Sequence, residues 1–479
     1  MPIYWIDTDR EGKIIPEIFE VEKYGLKSSG SVISVCNKEL IRESIGELVG
    51  IASLDTGVRA SWAQYIIHSC ALQLGITPSS IQDLYVARSN GGLLPTFTTP
   101  AINLRALSYD AARAAFRSAQ KISSSLLIFE IARVELAWAG ISLREYSACV
   151  LGAAIVEGYT GPVFLQGDHF QISPKLPLQD EIKAIKRLIQ QAIQAGFYNI
   201  DIDTSTLVDL QEASIDDQQF LNAQVSAELA AFTRQLQPKG ITISIGGEIG
   251  EVGGHVSTVE ELHSYLTQFN NSFSTTCPGQ PGLSKVSIHT GTTHGGIILP
   301  DGSTAKPTID FDSIRQLSEI GQKTYKLGGV VQHGASTLPV KDFSHLVIAG
   351  ALEVHLATAF MTSMYEHLPV TLQYQIHNWL NKTYFHERSD NMTDRQFYHK
   401  VEMHALAPFK HSLWNITPDE KEVITKNWES QFDQIFLQLG CTNMRPIVEK
   451  YITPVFIGPV FDLSPVNKSL VQSNIGLSG

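Results

Sequence analysis

The stretch Val163-Phe164-Leu165-Gln166-Gly167-Asp168-His169 decides how the rest of the chain is read. Three apolar residues form a short run that suits a buried strand. The run stops at a glycine, and an acid and an imidazole follow at once. A strand that delivers Asp-His at its C-terminal end places a proton carrier beside a metal ligand. Taken alone, the heptapeptide has a plainer reading as a turn carrying solvated polar residues. The balance shifts because further histidines appear downstream in the same kind of place.

Working outward, similar apolar runs lie near 99–104, 126–131, 162–166, 198–202, 241–245, 284–288, 329–332 and 352–356. Between them sit segments long enough for helices: Asp110–Gln120, Asp180–Ala195, Gln218–Leu236, Val259–Phe269 and Asp310–Tyr325. In Asp180–Ala195 the residues Ile182, Ile185, Leu188, Ile189 and Ile193 recur at helical spacing. Continuous apolar strands alternating with helices imply a parallel sheet. Eight such units over roughly 270 residues predict a (β/α)8 TIM barrel, a fold of about 250 residues. A doubly wound open sheet is the alternative, weakened because no GxGxxG opens a helix after the first strand.

The barrel is expected over 96–370. Residues 1–95 read as a helical N-terminal extension, with apolar residues at helical spacing in 38–52 and 58–75. Residues 371–479 read as a mostly helical, aromatic-rich C-terminal region, with Pro418–Leu439 as a helix and a mobile tail over 463–479.

Bulk properties exclude several partner classes. The chain has 479 residues, a formal charge of −12 and 43% hydrophobic residues, so a sizeable core is available. The negative balance argues against non-specific nucleic-acid or anionic-membrane binding. Five cysteines (36, 70, 149, 277, 441), odd in number and without CxxC, indicate neither a disulfide framework nor a thiolate zinc site. No signal-peptide plan and no apolar run of ~20 residues is present, so a cytoplasmic location is expected.

In a barrel of this kind, chemistry sits just past the strand ends. Asp168 and His169 follow the third run. Asp201, Asp203, Thr204 and Ser205 follow the fourth, and Glu248, Glu251 and His255 the fifth. His289 and His294 follow the sixth, His333 the seventh, and the eighth carries His355 and then Thr358. Three imidazoles from three strand ends, His169, His294 and His333, can converge on one metal with an open position, the ligand count of a catalytic zinc site. Three unrelated structural histidines are the plainer alternative. Gly295-Gly296 and Gly334-Ala335-Ser336 offer bare amides and a hydroxyl for a phosphate oxyanion, with tight turns as the plainer reading.

Gln-Gly-Asp-His (166–169), Asp-Ile-Asp-Thr-Ser (201–205), Gly-Glu-Ile-Gly-Glu-Val-Gly-Gly (247–254), Thr-Gly-Thr-Thr-His-Gly-Gly (290–296), Ile-Asp-Phe-Asp (309–312) and Gln-His-Gly-Ala-Ser (332–336) resemble, in order and spacing, the class II, zinc-dependent ketose-bisphosphate aldolases. The resemblance covers 97–370. It implies reversible cleavage of a phosphorylated ketose to dihydroxyacetone phosphate and an aldehyde, the chemistry of sugar metabolism and glycolysis. It implies zinc, with a second divalent or monovalent cation left open, a phosphorylated sugar as partner, and a homo-oligomer. By resemblance, His169, His294 and His333 hold the metal, with Glu248 and Asp203 near it as alternative ligands. Asp168 exchanges the hydroxyl proton. Gly295, Gly334, Ser336 and Thr358 hold phosphate, and Asn103 touches substrate.

Two departures stand out. The family's last-strand Asn is here His355. The acid expected after Gly253-Gly254 is replaced by His255 and Val256, so Glu251 or His255 is left to handle the carbon-bound proton. A Schiff-base aldolase needs a buried strand-end lysine, and none of the inferred strand ends carries one. The competing readings are a non-catalytic partner subunit of a tagatose-bisphosphate-type aldolase and a metal-dependent sugar-phosphate isomerase or epimerase.

Overall fold

The computed structural model describes residues 3–8, 14–29, 32–250, 255–292, 299, 308–336 and 338–460, with side chains from residue 20 onward. Its strands, in chain order, are β1 (Ile3–Thr8), β2 (Ile14–Phe19), β3 (Leu26–Ser29), β4 (Val32–Val35) and β5 (Ile76–Pro78). Then come β6 (Thr99–Asn103), β7 (Ile128–Ala132), β8 (Gly161–Gln171) and β9 (Asn199–Asp203). The last four are β10 (Ser244–Glu248), β11 (Lys285–Ile288), β12 (Val330–Gln332) and β13 (Glu353–Leu356).

Strands β6 to β13 pair in parallel and close on themselves through β8–β9 and β13–β6, giving an eight-stranded (β/α)8 barrel. The helices that alternate with the strands are amphipathic and cover the outside. In Leu178–Gln194, for example, Ile182, Ile185, Leu188, Ile189, Ala192 and Ile193 are buried. The apolar residues of the strands, such as Phe129, Ile131, Ile200, Ile202 and Val354, are fully buried in the same core.

Alternate strand residues turn the other way, and here they are polar. Gln166, Lys285, Glu353, Glu130, Asp201 and His355 contact one another across the barrel axis. Bulky aliphatic side chains usually fill that space. Gly246 makes the substitution possible: a Cβ there would stand 2.3 Å from Asp201 Oδ1 and 3.0 Å from Lys285 Cε.

Strand β8 is the longest in the barrel and does two jobs. Its first residues pair with β5, Ile76 opposite Gly161, and its last with β9. Between Gly167 and Phe170 the register with β9 slips: that three-residue step on β8 is matched by the two-residue step from Ile200 to Ile202. This is a β-bulge, and it falls on Asp168 and His169. His169 takes φ 39°, in the left-handed region uncommon for a residue with a Cβ. A bulge breaks the in–out alternation, so two consecutive side chains share the barrel mouth. Gly167 permits the bend, since a Cβ there would meet the Phe170 ring at 2.3 Å.

The N-terminal region contains the expected helices, Lys38–Leu54 and Gly57–Gln73, together with two antiparallel hairpins (β1–β2, β3–β4) and β5. Short two-stranded pieces and a three-residue strand leave too little period-2 pattern to be read from sequence. At the other end, helix Pro418–Gln438 packs on Ser108–Lys121 of the barrel. Glu429 there pairs with Arg117 (2.7 Å) and Lys121 (2.5 Å), and Trp428, 2% exposed, donates its indole N–H to Phe360 O (2.9 Å). Burying one such aromatic side chain is worth roughly 3 kcal/mol. The backbone N–H of Ala407 donates to Trp138 O, and the Trp138 and His404 rings meet edge-on, so the C-terminal region touches the helix that follows β7. Among the described residues no single helix is long and apolar enough to cross a membrane.

Candidate active site

The C-terminal ends of the barrel strands gather a compact set of histidines and acids. His169 and His333 lie ring over ring, with centroids 4.3 Å apart and planes 23° from parallel. His333 meets His355 at the same centroid distance, tilted by 57°. His169 Nε2 is 3.3 Å from Glu248 Oε2, and its Nδ1 is 3.7 Å from Asp168 Oδ1. His333 Nε2 is 2.9 Å from Ser287 Oγ.

Donor atoms of Asp168, His169 and His333 all fall within 4.8 Å of one another, as do those of His169, Asp203 and Glu248. Two imidazoles flanked by carboxylates, on strand ends that rigid pairing holds in place, fit a divalent metal of the zinc type. Burial alone would lower the pKa of His169. The charges of Asp168 and Glu248 outweigh it and hold the imidazole well above its ordinary value. A site this rich in negative charge draws a proton in the way it would draw a metal cation. Asp203 is oriented by three donors: Ser205 N (3.0 Å), Ser205 Oγ (2.7 Å) and Gln171 Nε2 (2.6 Å).

Asp168 and His355 are tied together. His355 Nδ1 lies 3.2 Å from both Asp168 Oδ1 and Glu130 Oε2, and its Nε2 lies 3.0 Å from Glu353 Oε2. Burial works to lower the pKa of His355. Glu130, Asp168 and Glu353 more than reverse this and raise it well above the ordinary imidazole value. Beneath it, the Lys285 ammonium bridges Asp201 (3.0 Å), Glu353 (2.5 Å) and Gln166 Oε1 (2.7 Å) with no exposed surface. Burial would lower the pKa of Lys285, but Asp201 and Glu353 raise it. A lysine held charged in this way is a poor Schiff-base nucleophile.

The other predicted residues are placed as follows. Asn103 is buried at the end of β6, where its Nδ2 donates to Glu135; that carboxylate also accepts from Ala132 N (2.8 Å) and pairs with Arg105 (2.6 Å). Gly334 has φ 69° and leads to Ser336, whose hydroxyl accepts from Ala357 N (2.8 Å). That contact joins the loop after β12 to the start of helix Thr358–His367, so Ser336 and Thr358 share one corner of the mouth. His255 is half exposed, its Nε2 2.9 Å from Glu261 Oε1. Glu261 is also the capping-box acid of helix Val259–Thr276, so this contact ties His255 to the helix start. Glu251, His294 and Gly295 lie outside the described residues.

Glu130, Lys285 and Glu353 were not singled out from the sequence. The available signal was a charged residue inside an apolar run, as in Phe129-Glu130-Ile131. In a parallel strand such a residue must face the barrel interior or remain unsatisfied.

The model of the family described as fructose-bisphosphate aldolase class-II matches residues 95–411. Among solved structures, fructuronate-tagaturonate epimerase UxaE from Cohnella laeviribosi superposes with a TM-score of 0.55 at 11% identity, over 89% of this chain and 91% of its own. The YdjI aldolase from Escherichia coli gives 0.46 at 12% identity, over 76% of this chain and 98% of its own. Fructose-bisphosphate aldolase from Campylobacter jejuni gives 0.46 at 16%, over 77% and 96%. At these identities the structures speak to the fold alone, whereas the family match spans well over half of the sequence. The chain belongs to the class-II fructose-bisphosphate aldolase family.

Proposed function

We propose that the protein is a metal-dependent aldolase that cleaves a phosphorylated ketose to dihydroxyacetone phosphate and an aldehyde. The observation that carries this reading is the juxtaposition of Asp168 with the His169–His333 pair at the barrel mouth, donor atoms within 4.8 Å. Zinc, the expected ion, would act as a Lewis acid toward the ketone oxygen of the substrate. His169 and His333 would hold it with Glu248 or Asp203 nearby, and His294 is the further candidate ligand.

The chain's own residues supply the rest. Asp168 accepts the proton of the hydroxyl next to the bond that breaks. The hydrogen bond from the His355 imidazolium keeps that carboxylate aimed at the mouth. Gly334, Ser336 and Thr358, with Gly295, are the proposed phosphate cradle: bare amides and hydroxyls at the head of a helix suit an oxyanion. Asn103, fixed by Glu135, is the proposed contact to the ketone half.

The test is metal content together with a screen of ketose bisphosphates and monophosphates for release of dihydroxyacetone phosphate. About one zinc per chain and triose release are expected. His169→Ala and His333→Ala should each lose metal and activity together, and a variant that kept stoichiometric metal after dialysis would refute the ligand assignment.

A second reading is supported by the two carboxylates that share His355, Glu130 and Asp168. One could remove a proton and the other return it, as a sugar epimerase requires. The same screen separates the two, because an epimerase yields a stereoisomer and no triose.

A further inference from the structure

The sequence leaves the carbon-bound proton without an obvious carrier. After C–C cleavage the electron pair stays on the carbon next to the ketone, and that carbon must then be protonated. Of the two residues considered from sequence, His255 is engaged with Glu261 at the head of a helix, and Glu251 lies outside the described residues. A different carboxylate lies close to Asp168.

Glu130 sits on β7 opposite Gln166, while Ala132, two residues on, sits opposite Asp168. Its longer side chain brings Oε2 to within 3.2 Å of the same His355 Nδ1 that contacts Asp168. The Oε2 atom also accepts from Gln166 Nε2 at 3.0 Å. The other oxygen, Oε1, is buried and has no hydrogen-bond partner, and the whole residue is 1% exposed. Leaving a buried carboxyl oxygen unsatisfied is costly. A purely structural acid would be expected to find a partner for it.

We propose that Glu130 is the catalytic residue that exchanges the carbon-bound proton of the ketone half, with Asp168 serving the hydroxyl proton. The inference rests on the aldolase reading above. In the cleavage direction Asp168 takes the hydroxyl proton as the C–C bond breaks and the aldehyde C=O forms. The electron pair left on carbon then takes the proton from Glu130 Oε1, closing the new C–H bond. Asp168 has gained one proton and Glu130 has lost one. Both touch His355, so one transfer between neighbours resets the site, and the net reaction neither consumes nor releases a proton. Synthesis runs the same steps in reverse. Burial, reinforced by the charge of Asp168 and opposed by His355, raises the Glu130 pKa well above the ordinary carboxylate range, toward the protonated form that cleavage needs at the outset.

The experiment separates carbon-proton exchange from cleavage. The metal-loaded full-length protein is incubated in deuterium oxide with dihydroxyacetone phosphate alone, and loss of the C–H signal is followed by NMR; cleavage is assayed on the best ketose phosphate. Wild type should exchange. Glu130→Gln should keep its metal and lose at least about 100-fold in both exchange and cleavage, the range of a positioned proton-transfer group. Asp168→Asn should lose cleavage yet still exchange. Should Glu130→Gln not fold, Glu130→Asp is scored instead, with a drop in exchange of about 10-fold or more at full metal content expected. A Glu130 variant that exchanges at the wild-type rate overturns the assignment while leaving the aldolase reading intact. A wild-type protein that neither exchanges nor cleaves overturns the aldolase reading and this assignment with it.

Discussion

Replacing Lys285 with Met tests the ion network inside the barrel. Lys285 is fully buried, and its ammonium is the counter-charge to Asp201 and Glu353. Methionine fills a similar volume without the charge, so the cavity term is small and electrostatics decide the outcome. Breaking a buried pair by removing one partner typically costs about 3–5 kcal/mol. The barrel has a way to limit that cost, because one proton taken up by Glu353 restores the lost positive charge. Protonating a group with a reference value of 4.5 at pH 7 costs ~3.4 kcal/mol, at 1.36 kcal/mol per unit. At pH 5 the same step costs only ~0.7 kcal/mol.

The sign follows from linkage. Burial would raise the Glu353 pKa, but Lys285 and His355 hold it below the ordinary value. Its contribution to wild-type stability is therefore present above the unfolded value and is lost as pH falls through the folded one. Urea unfolding should show Lys285→Met less stable than wild type by about 3 kcal/mol at pH 7, with the gap narrowing to under ~1 kcal/mol at pH 5. The double variant Lys285→Met/Glu353→Gln should recover at least half of the loss at pH 7. A single variant within ~1 kcal/mol of wild type at pH 7, or a gap that does not shrink at pH 5, would refute the account.

Three further outcomes are expected. Asp168→Asn should retain its metal, measured by elemental analysis, and lose about 10²–10⁴ in turnover. His355→Asn should change the ranking of fructose 1,6-bisphosphate, tagatose 1,6-bisphosphate and monophosphate ketoses. Because its acidic neighbours hold the His355 pKa well above the ordinary value, the wild-type rate should show no inflection from this residue near pH 6.5, contrary to what an isolated last-strand histidine would suggest. Burial, helped by the Arg144 charge, lowers the pKa of His68 to about 4. The unfolded chain then binds a proton below about pH 6.5 that the folded chain refuses until about pH 4. Stability should fall across that window by up to roughly 3 kcal/mol, and His68→Gln should flatten that part of the urea-midpoint profile.

Legibility differed sharply between the outside and the inside of the barrel. The strand runs were visible because residues such as Phe129, Ile131, Ile200 and Ile202 face a helix layer that demands apolar side chains. The expected strand near 284–288 lies within one residue of the observed Lys285–Ile288. The inward positions follow a weaker rule. Glu130 and Lys285 occupy places where an aliphatic residue would serve, and nothing local distinguishes a buried charge from an edge residue facing water. Pairing is what turns them into a network, and pairing is set by barrel closure, a long-range property. The bulge at Asp168–His169 escaped the sequence for the same reason. Gly167 marks a bend, but the slipped register is a relation between β8 and β9.

The interior charges also bear on why the site is where it is. A buried ion network is a weak source of stability, and apolar side chains of similar volume often do as well or better. Its persistence at the barrel axis is better explained by what rests on it. Lys285 fixes Glu353, Glu353 and Glu130 grip opposite nitrogens of His355, and His355 holds Asp168 at the mouth beside His169. Each contact from Lys285 to Asp168 lies within 3.2 Å, and all of these side chains except that of His169 are buried. A proton-transfer group loses effectiveness when it wanders by even an ångström. The chain from Lys285 to Asp168 thus trades stability in the floor of the barrel for position at its mouth. If that is its purpose, Lys285→Met should slow turnover by more than its metal occupancy falls, even at pH 5, where most of the stability has returned.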